Sequence, residues 1–134
     1  RTYEIGMSEI SIREKCGLLA YYPLAAGALS GKYRNGQMPK NSRMTLFKGW
    51  ERMINPLAMK AYDKYYELAK EYNITMVQLA QAFVNSRTFV TSNIIGATTM
   101  KQLKENIKSI DIDLSEEILE KINLIHNNNP NPAP

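Results

Sequence analysis

One cysteine, Cys16, and one histidine, His126, are all this sequence has of two residue types that dominate metal binding and nucleophilic chemistry. A lone cysteine excludes an intrachain disulfide and any cysteine-rich zinc site, and it fits a reducing, cytoplasmic setting. His126 has no Cys, Asp or His at ligand spacing and stands beside an Asn-rich tail, so it reads as a surface histidine. No metal is expected. No apolar run approaches the length of a membrane span, and the first residues lack a charged-then-apolar signal pattern, so no membrane partner is expected either. Also missing is a basic stripe: 17 Lys and Arg against 13 Asp and Glu give a net charge of +4, but the two signs are interspersed. That dispersion argues against nucleic acid. Asp111, Asp113, Glu116 and Glu117 gather at a helix start, where they suit the helix dipole and do not form a paired-carboxylate catalytic site.

What is present is enough for one ordinary core. With 134 residues and 44% apolar side chains, the chain reads as a single domain over 1–134, its last stretch, 127–134, a Pro/Asn-rich tail unable to continue a helix. Gly17 to Tyr22, ended by Pro23, predicts a strand buried on both faces. Ser8 to Lys15 is a weaker helical stretch. Small residues follow Pro23 at Ala25, Ala26 and Gly27, where another backbone or a ligand could come close. Gly31 to Arg43 is a long, polar, Gly- and Pro-punctuated loop of the kind that often carries function.

Helical spacing of Leu57, Ala61, Tyr65, Leu68, Ala69 and Tyr72 predicts a helix over 57–72, stopped at Asn73. Thr75 with Gln78 forms a capping-box pattern for a second helix through Val77, Leu79, Ala80, Ala82, Phe83 and Val84. A second strand is expected over Phe89 to Ala97. Thr99 with Gln102 repeats the capping box for a helix reaching Ser109, and a last helix opens at Ser115. Strands alternating with paired helices point to α/β architecture with parallel crossovers, yet two strands are too few to close a barrel.

The most informative stretch runs from Asn93 to Ile107, where a strand turns through glycine and threonines straight into a capped helix. Backbone N–H groups in a first helical turn have no intrahelical partner, so such a junction suits an anion such as a nucleotide phosphate. By itself the Thr99/Gln102 pair is an ordinary helix cap, and Tyr21 is an ordinary strand aromatic.

Two blocks change that balance. Leu19-Ala20-Tyr21-Tyr22-Pro23-Leu24-Ala25-Ala26-Gly27-Ala28-Leu29-Ser30-Gly31-Lys32-Tyr33 and Ile95-Gly96-Ala97-Thr98-Thr99-Met100-Lys101-Gln102-Leu103-Lys104-Glu105-Asn106-Ile107 closely resemble the last two strand–helix units of aldo-keto reductases. The likeness is to the Tas-like bacterial branch, which is also similar to the β subunits of voltage-gated potassium channels. It spans nearly the whole sequence. That family folds as a (β/α)8 TIM barrel of about 250 residues, so the resemblance implies a C-terminal portion only, incomplete as a single chain and open to a rearranged, helix-rich packing. Strands 7 and 8 are implied near Leu18–Tyr22 and Ile94–Ala97. The family's catalytic Asp, Tyr, Lys and His fall in the portion that would precede this sequence, so no residue here inherits a catalytic role.

Cofactor contacts carry over by resemblance. Tyr21 matches the aromatic that stacks on the nicotinamide of NADP, while Tyr22, Pro23, Leu24, Ala25 and Gly27 match the turn along the pyrophosphate. Lys32 and Arg43 match loop positions that contact the cofactor phosphates. Gly96, Thr98 and Gln102 match positions around the adenosine 2′-phosphate, and Glu105 and Asn106 those that hydrogen-bond the adenine. Tyr22 stands where the family usually has serine. Gly96 and Gln102 replace the lysine and arginine used in other branches, leaving the choice of NADP over NAD open. The resemblance implies reduction of aldehydes or ketones by hydride transfer from NADPH, with the isolated chain inactive and its hold on the cofactor in question. The alternative is a catalytically inactive module that self-associates or binds a separate N-terminal half.

Overall fold

The computed structural model describes residues 1–133; Pro134, the end of the predicted tail, lies outside them. After a short 3-10 turn the chain forms α1 (Met7–Arg13), β1 (Leu18–Ala20), a kinked 3-10 segment (Ala25–Ser30) and the four-residue α2 (Arg43–Leu46). Then come α3 (Pro56–Glu71), α4 (Met76–Asn85), β2 (Val90–Asn93), α5 (Met100–Lys108) and α6 (Glu116–Asn128). β1 and β2 are parallel neighbours, with Leu18 opposite Val90 and Ala20 opposite Asn93. The helices α3 and α4 form the crossover between them, as parallel pairing requires.

Local signals set the helix ends. The Asn55 side chain accepts from the N–H groups of Leu57 and Ala58 at 2.9 and 3.0 Å, with Pro56 in the first helical position of α3. At the other end Asn73 turns left-handed (φ 55°), the Asn73 N–H donates to Lys70 O and the Ile74 N–H to Ala69 O. This pattern is a Schellman stop, which consumes two of the carbonyls that a helix end leaves unpaired. Both predicted capping boxes, Thr75/Gln78 and Thr99/Gln102, are formed. α6 starts at the predicted Ser115 cap but continues through Asn127 and Asn128, two residues into the expected tail, and stops at Asn129 because Pro130 disfavours a helical residue before it.

The core is helical. Ala58, Tyr62, Leu68 and Ala69 of α3 pack with Met76 and Leu79 of α4, Ile118 and Ile122 of α6, and Ala28 and Tyr33 from the segment after β1. Leu57, counted in the predicted apolar stripe, is 61% exposed; Ala58, fully buried, takes the inward position instead. The strands depart further from expectation. β1 has three residues and β2 four, and the interior predicted on both faces is absent, with Leu19 59% exposed. A parallel strand is buried only when neighbours and helices cover it, and each strand here has one strand partner. The final strand lies at Val90–Asn93 and not at Ile94–Ala97. Beyond the Ile94 N–H, which donates to Ala20 O at 2.7 Å, β1 has already turned away at Tyr22 and offers no partner.

An apolar hollow of about 510 Å³ opens between β1, α4 and the N-terminal residues, lined by Leu18, Ala20, Tyr65, Leu79 and Phe83 among others. Neighbouring elements of a complete barrel would lie against such a surface.

Candidate functional site

Because β1 and β2 are parallel and paired at Ala20 and Asn93, the turns that follow them emerge at one end of the sheet. The C-terminal end of parallel strands is where barrel and open α/β proteins build their sites. Both blocks singled out in the sequence sit there.

The turn after β1 is strained. Tyr22, Ala25 and Ala26 adopt φ of 58°, 47° and 57°, and Gly27 one of 92°. Left-handed backbone costs a residue with a Cβ roughly 1–2 kcal/mol, so three in five positions mark a shape held by its surroundings. Ala25 and Gly27 direct their N–H groups inward, to Tyr22 O at 2.9 Å and Leu24 O at 2.8 Å, so these two are not free donors. What the turn does present is a cation. A Cβ built on Gly27 would lie 2.8 Å from Lys32 Nζ, which shows how closely the ammonium rests on the turn. Lys32 also lies over the Tyr33 ring, 5.1 Å from its centroid. Pro23 and Leu24 are half-buried beneath this surface.

Tyr21 is 71% exposed and meets Tyr22 edge-on at 5.2 Å. Its other surface is open. Tyr22 in turn lies 5.7 Å from Trp50, whose ring is 5.3 Å from the Arg43 guanidinium carbon. Trp50 and Phe47, which also faces Arg43 at 5.7 Å, escaped the sequence reading. The available signal was that Trp50 is the sole tryptophan and lies seven residues after Arg43.

At the second turn, Gln102 Oε1 accepts from the Thr98 N–H and hydroxyl, both at 2.9 Å, and from the Thr99 N–H at 3.3 Å. One amide oxygen thus occupies a nest of donors at the start of α5. Gly96 is exposed and open, with no atom within 4 Å of a Cβ built there. Asn106 points inward, 4% exposed, and its Nδ2 donates to Gly96 O at 3.1 Å, which pins the turn to the helix. Glu105 accepts from the Thr75 hydroxyl at 2.7 Å, tying α5 to the start of α4. The structure therefore gathers Tyr21, Tyr22, Lys32 and Arg43 at one turn and Gly96, Thr98 and Gln102 at the next, while Asn106 is turned inward and the half-exposed Glu105 is engaged by Thr75.

A buried polar cluster supports this end of the sheet and was not foreseen. Gln81, fully buried on α4, accepts from Asn93 Nδ2 at 2.7 Å, and Asn85 Oδ1 accepts from the same amide at 3.1 Å. It fixes the end of β2 against α4. Among the described residues no group of three His, Cys, Asp or Glu could hold a metal ion, and no helix is long and apolar enough to cross a membrane.

Parallel strands joined by paired helices, with both loops at one end, define this as an α/β protein of the parallel-crossover kind. The chain belongs to the aldo/keto reductase family, which it matches over residues 6–127. It is 42% identical over its whole length to protein tas of Escherichia coli, and spans 39% of that protein. A probable voltage-gated potassium channel subunit beta of Arabidopsis thaliana is 33% identical over 120 residues, covering 85% of this chain and 36% of the relative. The structure of a glycerol dehydrogenase from Gluconobacter oxydans superposes on all of this chain and 41% of its own with a TM-score of 0.75 at 22% identity, a likeness of fold. The chain thus represents well under half the length of the relatives it matches.

Proposed function

We propose that this chain is the NADP(H)-binding C-terminal part of an aldo-keto reductase, an oxidoreductase that reduces aldehydes or ketones. The supporting observation is the pairing, at one sheet end, of an open tyrosine face with an ammonium resting on a left-handed turn. A reduced nicotinamide would supply hydride to the carbonyl carbon. Tyr21 would support its flat ring. Lys32 and Arg43 would pair with the pyrophosphate oxygens, a charge-assisted contact. The donors now shared by Gln102 Oε1 would turn to the 2′-phosphate, and Glu105 and Asn106 would lie beneath the adenine. This chain's contribution is positioning, which can lower a barrier substantially but cannot supply a proton donor. The donor and its partners would belong to another part of the barrel, and the 134 residues alone would not turn over substrate.

Titration of NADPH into the purified chain, followed by nicotinamide fluorescence with NADH as comparison, tests this. Saturable binding is expected, weakened about tenfold or more by Tyr21→Ala and by Lys32→Ala, in line with a lost stacking surface or charged contact. No binding, or binding indifferent to both substitutions, overturns the proposal.

A second reading is favoured by the uncovered sheet and the adjoining hollow: a module that must associate, with a separate N-terminal half or with another copy, to cover them.

A further inference from the structure

We propose that Trp50 is a positioning residue: it holds the Arg43 guanidinium beside the strained turn, oriented for a pyrophosphate. The inference rests on the cofactor reading above and adds a residue to it. Arg43 opens α2, and a four-residue helix has little rigidity of its own. The start of α2 is nonetheless fixed. The Ser42 N–H donates to Thr45 Oγ1 at 3.0 Å, the Thr45 hydroxyl faces Pro39 O at 3.1 Å, and the Met44 N–H reaches Tyr33 Oη at 3.4 Å. These contacts place the Arg43 backbone but leave its long side chain free.

The side chain is instead held by ring faces. Its guanidinium carbon lies 5.3 Å from the Trp50 centroid and 5.7 Å from that of Phe47, both within cation–π range. No carboxylate is within ion-pair distance of Arg43 among the described residues, whereas Arg13 and Arg87 each have one and Arg34 has two. That difference matters. A guanidinium held near ring faces and paired with no carboxylate keeps N–H groups available, and its fork suits phosphate geometry. Trp50 also touches the turn itself, its ring 5.7 Å from that of Tyr22. One indole therefore contacts both the arginine and the residue that begins the left-handed turn, joining two segments that are 21 positions apart in sequence (43 − 22). Tyr22 is what makes the contact possible, because a serine at that position would not reach the indole ring.

The test is NADPH affinity in the full chain for Arg43→Ala, Trp50→Leu, Trp50→Phe and the Arg43→Ala/Trp50→Leu pair, with circular dichroism as the check on folding. Leucine keeps most of the apolar volume and removes the strong π face, while phenylalanine restores a face. Trp50→Leu is expected to weaken binding about twofold to fivefold, the range of a cation–π contact at an exposed arginine. The pair should be no weaker than Arg43→Ala alone, and Trp50→Phe should recover most of the affinity. Emission from Trp50, the sole tryptophan, should quench with the same midpoint as cofactor binding in the unaltered chain. Unchanged affinity in Trp50→Leu while Arg43→Ala weakens it overturns this inference and leaves the cofactor reading standing. Additive losses in the pair also overturn it. Absence of NADPH binding by the unaltered chain overturns both.

Discussion

Tyr62 is 4% exposed in the helical core, and its hydroxyl has no hydrogen-bond partner. Burial of the phenol pushes its pKa up to about 12, because the charged phenolate is disfavoured away from water. An unfolded tyrosine ionises near 10, so in alkali the unfolded chain releases its proton first. Stability present below pH 10 is therefore lost progressively between about pH 10 and 12. Tyr62→Phe should shrink this alkaline loss in melting curves, though not remove it, since burial also raises Tyr65. Near neutral pH the same substitution should be neutral or stabilising by about 1 kcal/mol, because it removes a buried hydroxyl that bonds to nothing. A marked loss of stability at pH 7 would mean that the hydroxyl has a partner. His126, expected at the surface, is partly buried, and burial with the nearby Arg1 charge lowers its pKa. Residue pairs such as Lys121 with Glu117 and Glu71 are solvated, and exposed ion pairs of this kind add little.

Among the elements, the helices were legible and the strands only partly so. The capping boxes and the Asn73 stop, named from the sequence, and the Asn55 cap, which was not, are decided by residues two to five apart, so local sequence contains the whole interaction. Strand length depends on what lies alongside. β1 ends where Tyr22 turns left-handed and Pro23 cannot donate, and β2 ends because its partner has left. The approach to β1 is equally dependent on contact across the sheet. A Cβ on Gly17 would lie 2.9 Å from Thr91 Cβ and closer still to its hydroxyl, so Gly17 is required by a residue 74 positions away (91 − 17). Gly17→Ala should cost about 1–3 kcal/mol in urea unfolding, as overpacking does, and Thr91→Ala in the same chain should recover part of it. An unaltered midpoint for Gly17→Ala would place Thr91 elsewhere.

The whole molecule is a helical core with an under-covered sheet. Leu19, Tyr21 and Ile94 are each at least half exposed along the strand pair or just beyond it, and the hollow of about 510 Å³ adjoins them. Exposed strand edges and apolar patches favour association. Light scattering at micromolar concentration should find the isolated chain self-associated, with melting that rises with concentration as mass action demands. A stable monomer with cooperative, concentration-independent melting would show that the helical core suffices.

By itself the sequence determined the longer helices α3 to α6, the capping boxes, the order of the two strand–helix units and the family, because these rest on short-range hydrogen bonds and on motifs read along the chain. Only the tertiary structure decided that the strands are short and exposed, that Asn106 and Gln81 turn inward, and that Trp50 joins Arg43 to the turn at Tyr22. Each of those outcomes depends on which distant surfaces meet, and burial is a property of that meeting and not of any segment alone.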